Sequence, residues 1–301
     1  MTMPISCDSK PTCPVCGNKA SWIIPFLDPE TNKVVRRDNG YHWRLCQTCG
    51  NGYPSTEASL AEMQAYWNTN RVDETEALVT EDVWLSRLTA SQSWAQRTYD
   101  FAAPFVKSDT RRFLDVACGL GETVALFQKQ GWHAEGIDAD PNTKVFHERL
   151  GIRTTIGQVE NIDTLSRFDL VSIAHAIYFI SEPRQFVKRI RELLDDGGFF
   201  LIVLSDLLSS LNTGCPGYVH TWYPTLGSLT YLLEQEGFKV LRCHRGNGSY
   251  MIMAQRGIPE LHPAHPYRAY LAHLSQAWRY RLFGKPLLAA ASMLKRLRKN
   301  L

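Results

Sequence analysis

From Arg112 to Gln255 the chain alternates between two hydrophobic patterns. Short runs rich in β-branched and aromatic residues read as strands: Arg112–Ala117, His133–Asp138, Arg153–Ile156, Phe168–Ala174, Gly198–Leu204, Phe238–His244 and Ser249–Gln255. Between them, Glu122–Gln130, Asn142–Leu150, Pro183–Leu194 and Leu226–Gln235 carry apolar residues at helical spacing. This alternation predicts a doubly wound, mostly parallel seven-stranded α/β sheet with helices on both faces, spanning residues 108–257. The last two runs are joined by Arg245-Gly-Asn-Gly248, a link short enough to predict a hairpin and one antiparallel edge strand.

The flanks follow other patterns. Ser59-Leu-Ala-Glu62 has the form of a capping box and opens a short helix through Trp67; a polar loop, Asn68–Glu76, follows. Val83, Trp84, Leu88, Ala95, Thr98, Tyr99 and Ala102 then recur at helical spacing. The segment 55–107 is therefore expected to be a helical bridge, either packed on the next domain or acting as a lid through Tyr66, Trp67 or Trp94. Beyond Pro259, Pro263 and Pro266 the tail 258–301 turns helical, with one apolar stripe at Tyr270, Leu271, Leu274, Trp278 and Leu282. Pro286 breaks it, and Leu287, Ala291, Leu294, Leu297 and Leu301 form a second stripe.

Charge changes the picture of that tail. Tyr267 to Leu301 holds eight Lys or Arg and no Asp or Glu, so the remaining chain has more acidic than basic residues although the whole is +3. A basic amphipathic helix with aromatic residues fits a helix docked on the protein's own body, a peripheral helix on an anionic membrane, or a nucleic-acid contact. No run of about 18 apolar residues occurs, so no spanning helix is expected. The opening MTMPISCDSK lacks a basic region followed by an apolar run. The expected location is cytoplasmic, extending to the inner face of the membrane if the tail binds lipid. In that compartment the eight cysteines read as thiols or metal ligands rather than disulfides.

Four of them are paired: Cys13-Pro-Val-Cys16-Gly17 and Cys46-Gln-Thr-Cys49-Gly50. Two intervening residues let both sulfurs face one metal, and the glycine permits a turn that aims amide N–H groups at the thiolates. With strand-like pieces at Trp22–Phe26, Lys33–Arg37 and His42–Leu45, residues 1–54 read as a zinc ribbon. Four thiolates close the tetrahedron, so Cys13, Cys16, Cys46 and Cys49 predict a structural Zn2+ whose binding supplies folding energy. Cys7 is not expected to ligate.

The first strand-to-helix turn of the sheet is Phe113-Leu-Asp-Val-Ala-Cys-Gly-Leu-Gly121. Gly119 and Gly121 let a ligand approach the backbone at a strand's carboxyl end, with Asp115 just before. Position 124 is Val, so the third glycine of a dinucleotide fingerprint is missing. Asp138 ends the second strand, where a carboxylate accepts from both ribose hydroxyls of a nucleoside. Asp140 is read as the cap of the next helix before Pro141.

Taken in order, FLDVACGLGETVALF, GIDADP, GQVENI, FDLVSIAHAIYFISEP and LLDDGGFFLIVL resemble the motif series of class I S-adenosylmethionine-dependent methyltransferases over about half the chain. The resemblance implies that the turn around Ala117, Gly119 and Gly121 cradles the methionyl part of S-adenosyl-L-methionine and that Asp138 holds its ribose. It also implies that Gln158, Val159 and Glu160 meet the adenine and that Ala174 and His175 lie beside the methyl group. Two departures from the family stand out: Gln158 replaces a frequent acid, though its oxygen still accepts a hydrogen bond, and Tyr178-Phe179 stands where many relatives read Glu-His. The ribbon, the Tyr66-Trp67 helix and the segment from His220 to Phe238 are similar to bacterial methyltransferases of polysaccharide and sugar-biosynthesis pathways.

Methyl transfer from a sulfonium is mainly a matter of positioning, and an oxygen nucleophile gains from a base near neutrality. His220 and His175 are the candidate bases, with a hydrogen-bonded structural role as the alternative for each. Tyr178 is a candidate positioning group, Tyr223 a weaker one, and His133 reads as structural. The reading is a methyltransferase for a sugar or glycan-type acceptor. The rivals are an RNA methyltransferase, a small-molecule methyltransferase of secondary metabolism and a non-catalytic cofactor-binding regulator. The acidic body and the lack of an aromatic–basic stacking motif weigh against RNA. The acceptor, the atom methylated and the oligomeric state are not encoded in any of these motifs.

Overall fold

The strands are short, largely apolar runs, and most of the connections between the parallel ones are helical. The computed structural model describes residues 11–24, 26–27, 34–35, 43–55, 81–107, 109–162, 166–205, 207, 220–246, 249–275 and 278; at 26–27, 34–35 and 81–91 it describes backbone only. The expected helix from Ser59 to Trp67, the loop 68–76, Cys7, Cys215 and the second tail stripe lie outside the described residues.

Two compact units are present. One gathers Met1–Glu57, Ser205–Leu229 and Pro263–Leu301; the other gathers Ala58–Leu204 and Thr230–His262.

In the first unit, β1 (Ser21–Ile24), β4 (Trp43–Cys46) and β5 (Gly52–Pro54) form an antiparallel sheet in the order β1-β4-β5, and β2 (Phe26–Leu27) pairs with β3 (Val34–Val35). Gly52 and Tyr223 exchange backbone hydrogen bonds at 3.0 and 2.7 Å, which joins the 205–229 segment to β5. A Cβ at Gly52 would stand 2.8 Å from the Tyr223 carbonyl and 2.9 Å from Leu207 Cδ2, so this approach requires glycine. Trp43, Trp222 and Tyr53 are the large buried side chains here. Residues 266–275 are helical, and Tyr270 stacks on Trp22 with ring centroids 4.7 Å apart. The expected tail stripe is divided: Tyr270 is covered, whereas Leu271 is 46% and Trp278 57% exposed.

The second unit begins with α1 (Glu81–Ala102) and a 3-10 turn, Ala103–Phe105. Then come β6 (Arg112–Val116), α2 (Glu122–Lys129), β7 (His133–Asp138), α3 (Lys144–Leu150), β8 (Arg153–Ile156) and β9 (Phe168–Ala174). The remaining elements are α4 (Pro183–Leu193), β10 (Leu194–Ser205), α5 (Leu226–Gln235), whose first turn to Leu229 falls in the first unit, β11 (Phe238–Gly246) and β12 (Ser249–Arg256). The seven strands run in the order β11-β12-β10-β9-β6-β7-β8. β8, β7, β6, β9 and β10 pair parallel, and β11 and β12 antiparallel. The expected hairpin is present, with β12 folding back inside so that β11 takes the edge.

The sheet is packed on both faces. Phe113, Val124, Phe127, Trp132, Leu201 and Val203 belong to one core with Phe101 and Ala102 of α1. On the opposite face Phe186, Phe200 and Phe238 touch in sequence at 6.3 and 5.9 Å. Leu201 and Phe200 are neighbours on β10 yet serve opposite cores, as the two-residue period of a strand requires. Strand pairing at the start of β10 reaches Leu194, four residues before the expected Gly198. A register irregularity between Leu194 and Phe199 absorbs Asp195-Asp-Gly-Gly198, and Gly197 sits at φ +74°.

Candidate functional site

The two cysteine turns are nearly superimposable in their bonding. Cys13 N–H donates to Asn18 O and Cys46 N–H to Asn51 O; Gly17 N–H donates to Cys13 O and Gly50 N–H to Cys46 O. Gly17 and Gly50 hold φ of +72° and +73°, a left-handed conformation that closes each turn at little cost only for glycine. The four sulfurs of Cys13, Cys16, Cys46 and Cys49 lie within 4.8 Å of one another, a set that could hold a metal ion. Thr48 N–H points at Cys46 Sγ at 3.4 Å. Hydrogen bonds from Cys13 pull Cys46 far down and Cys16 to about 7, whereas Cys13, facing Cys16, and Cys49, facing Cys13, are pushed up. Sulfurs this close share protons unless a divalent cation compensates all four thiolates.

The same unit holds His220, whose ring lies 5.7 Å from that of Tyr223. Tyr223 in turn meets Trp43 edge-on at 6.4 Å. Thr225 caps α5 reciprocally with Ser228: Thr225 N–H donates to Ser228 Oγ at 2.9 Å and Ser228 N–H to Thr225 Oγ1 at 3.2 Å. Thr225 Oγ1 also donates to Gly50 O at 3.0 Å, tying the helix cap to the second cysteine turn.

In the sheet unit, the turn after β6 holds three left-handed residues: Ala117 (φ +54°), Gly119 (φ +57°) and Gly121 (φ +90°). The two glycines face different surroundings. Among the described residues a Cβ on Gly119 would meet nothing within 4 Å; on Gly121 it would strike Ile152 Cδ1 at 2.2 Å and His147 Cδ2 at 3.1 Å. Gly119 thus presents bare backbone outward, and Gly121 lets α2 begin hard against the interior.

Asp138, at the carboxyl end of β7, is 4% exposed. Its Oδ2 accepts from Gly119 N–H at 2.7 Å and its Oδ1 from Asp140 N–H at 2.9 Å. Asp140 caps the following 3-10 turn by accepting from Asn142 N–H at 3.0 Å. Asp138 O accepts from Gly157 N–H at 2.8 Å. That bond sets exposed Gln158 and buried Val159 directly after the end of β8. Among the described residues a Cβ on Gly157 would also meet nothing within 4 Å. Gly119 and Gly157, both bonded to Asp138, are therefore both open on their outer sides.

The sheet order reverses direction between β6 and β9, the place where open α/β sheets bind ligands beyond the strands' carboxyl ends. Asp115 on β6 and Ser172 on β9 are register partners there, and Ser172 Oγ donates to Asp115 Oδ1 at 2.5 Å. Burial pushes the Asp115 carboxyl up to about 7, against the opposing effect of that hydrogen bond. Two residues beyond Ser172 comes exposed Ala174, then His175. His175 holds a left-handed φ of +54° and donates its N–H to Val203 O at 2.8 Å. A non-glycine residue held there stores strain of the kind found at functional sites. His175 Nδ1 is 3.2 Å from the Tyr178 hydroxyl, and burial pushes its imidazolium pKa down. The indole of Trp94 meets the His175 ring edge-on at 5.5 Å.

The structure thus groups Asp115, Ala117, Gly119, Gly121, Asp138, Gln158, Val159, Ala174, His175 and Tyr178 along adjacent strand ends of one unit, with His220 in the other unit. It also adds His147, which the sequence reading passed over. Fully buried on α3, His147 holds Nε2 2.8 Å from Gly119 O, so a proton there braces the open turn from beneath. Its only sequence signal is a histidine on the apolar side of a short amphipathic helix.

Comparison with known proteins identifies the family. A family model described as a methyltransferase domain matches residues 87–242. A Geobacillus sp. (strain WCH70) protein assigned as a methyltransferase is 26% identical over 195 residues, 58% of this chain and 72% of that protein. An uncharacterized protein of Mycobacterium tuberculosis (strain H37Rv) is 26% identical over 151 residues, 46% of this chain and 52% of its own length. Among solved structures, the Burkholderia thailandensis 1,6-didemethyltoxoflavin-N1-methyltransferase aligns with a TM-score of 0.49 at 18% identity, covering 70% of this chain and 97% of that one.

Proposed function

The chain belongs to the methyltransferase-domain family and is an S-adenosylmethionine-dependent methyltransferase; from that premise we propose that it methylates a sugar or glycan-type acceptor at the carboxyl ends of β6 and β9, with the cysteine turns closed by a structural zinc. The observation that carries the placement is the open backbone at Gly119 and Gly157, each bonded to Asp138. When bound, the cofactor supplies an electrophilic methyl carbon on a sulfonium. The Ala117–Gly121 turn would hold its methionyl part by backbone contact. Asp138 would accept from the ribose hydroxyls through the second lone pair of each oxygen. Gln158 and Val159 would meet the adenine. Ala174, with only a methyl side chain, would leave space beside the reacting centre. His175, kept neutral by burial, would take the proton from an acceptor hydroxyl while Tyr178 orients its ring.

The sugar-type acceptor is supported by the likeness of the ribbon and of the His220–Phe238 segment to sugar-biosynthesis methyltransferases. The zinc is supported by four sulfurs within 4.8 Å on two matched turns, a set that leaves no open coordination position. Peripheral contact of the tail with an anionic membrane is supported by exposed Tyr267, Leu271 and Trp278 and by the eight Lys or Arg that the sequence carries from Tyr267 to Leu301. Among the described residues no helix is long and apolar enough to cross a membrane.

Calorimetry with S-adenosylmethionine and with NAD tests the cofactor site. Heat with the first alone is expected; binding of NAD alone overturns the reading. Flotation on anionic vesicles with and without residues 286–301 tests the tail, and equal recovery of both forms would sink the membrane contact.

A further inference from the structure

α1 carries a side-chain pair beside His175 that none of the roles above uses. Trp94 is 38% exposed. Its edge-on contact with His175 fixes it at the proposed acceptor end. One turn on, Arg97 lays its guanidinium over the indole, with Cζ 3.9 Å from the ring centroid. Arg97 Nε donates to Ser93 O at 3.1 Å. That bond and the stacking hold the plane of the guanidinium. Among the described residues no carboxylate forms an ion pair with Arg97; the nearest acid along the helix, Asp100, accepts from Gln96 Nε2 at 2.8 Å.

A guanidinium stacked on an aromatic face loses little freedom when it binds, and its fork matches an oxyanion. We propose that Arg97, held flat on Trp94, reads an anionic group on the methyl acceptor, a phosphate or a carboxylate, beside the ring whose hydroxyl faces His175. The proposal rests on the reading of His175 as the acceptor-side base. It narrows the acceptor from any sugar-like molecule to a charged one. The chemistry is coherent with a cationic methyl donor: an anionic acceptor is drawn towards both the sulfonium and the guanidinium, and a neutral sugar towards neither.

The test uses the full chain labelled with 5-fluorotryptophan and saturated with S-adenosylhomocysteine, with the Trp94 fluorine line identified from Trp94→Phe. Glucose 1-phosphate, glucuronate and methyl glucoside are titrated in turn. The Trp94 line should move with one or both anionic sugars, which of the two naming the anion, and stay fixed with methyl glucoside. Arg97→Gln should weaken that response by about tenfold or more, and Arg97→Lys by less, since a point charge replaces a fork. Calorimetric affinity for S-adenosylhomocysteine should be the same in all forms. An equal response to methyl glucoside, no response to either anion, or a response that survives Arg97→Gln overturns the proposal. So does a tenfold loss of S-adenosylhomocysteine affinity in Arg97→Gln, which would assign the guanidinium to the cofactor's carboxylate. Failure of the wild-type chain to bind S-adenosylhomocysteine would instead refute the cofactor site.

Discussion

Asp138 and Gly119, nineteen positions apart, are joined by a 2.7 Å hydrogen bond from the glycine amide to the carboxylate. The bond fixes the mouth of the β6 turn to the end of β7, and the other carboxylate oxygen is held by Asp140 N–H. Asp138→Ala should therefore act twice. Cofactor affinity should fall by roughly 1.5–3 kcal/mol for each ribose hydrogen bond lost. Stability should fall by about 1–3 kcal/mol as two backbone donors lose their acceptor. Calorimetry and thermal unfolding read the two separately. Unchanged affinity would remove the ribose from Asp138.

The buried Asp115–Ser172 pair makes a prediction about pH. The Asp115 carboxyl is raised from 3.8 to about 7 by burial. Between those values the unfolded chain has lost the proton and the folded chain keeps it. Its contribution to stability is thus fully present below 3.8, declines as pH rises, and is gone above about 7, with a steepest slope of about 1.4 kcal/mol per pH unit. Asp115→Asn lacks this slope. The variant's melting temperature minus that of the wild type should climb between those two pH values, and a flat difference would contradict the burial argument.

His175 should titrate on the low side of its ordinary range. Desolvation disfavours its charged form, so the neutral base dominates at neutral pH and is lost only as pH falls through the depressed pKa. Carbon-13 histidine spectra, with the His175 line identified from His175→Gln, should give a midpoint below about 6.5. A midpoint above that value would favour a charged, structural imidazole.

Much of this was legible because it is local. β7, β8 and β9 occupy the residues that their alternation marks out, and the two cysteine turns follow from spacing and the glycine after each pair. What was not legible depends on distant partners. No local pattern shows that Tyr223 completes β5 through Gly52, or that Thr225 reaches Gly50. The same holds for the inward return of β12, since a hairpin fixes which strands pair but not which of them faces β10. At the site, sequence spacing left Trp94 equal to Tyr66 and Trp67; no local pattern shows its ring contact with His175, and the other two lie outside the described residues. His147 was invisible because its role lies in a single buried hydrogen bond to a carbonyl.

The proposed zinc site at Cys13, Cys16, Cys46 and Cys49 predicts one metal ion per chain, measurable by elemental analysis and by colorimetric release on thiol modification. Cys16→Ser or Cys49→Ser should lose the metal and lower the melting temperature, because metal binding is folding energy in so small a sheet. Cys243→Ser, an exposed cysteine outside the cluster, should retain it. Thr225→Val should keep the ion and lose about 1 kcal/mol of stability through the α5 cap. Full metal content in both Cys16→Ser and Cys49→Ser would place the ion elsewhere.

The final prediction separates the two glycines of one turn. Both have left-handed backbones, so alanine at either costs roughly 1–2 kcal/mol of strain. At Gly121 the added carbon also meets Ile152 Cδ1 at 2.2 Å and His147 Cδ2 at 3.1 Å. Ile152 is buried and His147 is braced against Gly119 O, so neither yields without disturbing α3 or the turn itself. Gly121→Ala should be the more destabilising by about 1–3 kcal/mol, as overpacking of a close interior requires. At Gly119 the added carbon meets no atom of the described residues within 4 Å. Gly119→Ala should stay folded with a modestly lowered melting temperature, yet lose cofactor affinity by about tenfold or more, since the methyl would occupy space reserved for the ligand's approach. Thermal unfolding and calorimetry on the two variants give opposite rankings if the turn faces the cofactor at Gly119 and the core at Gly121. Equal affinity in Gly119→Ala and wild type would show that the cofactor does not approach that backbone.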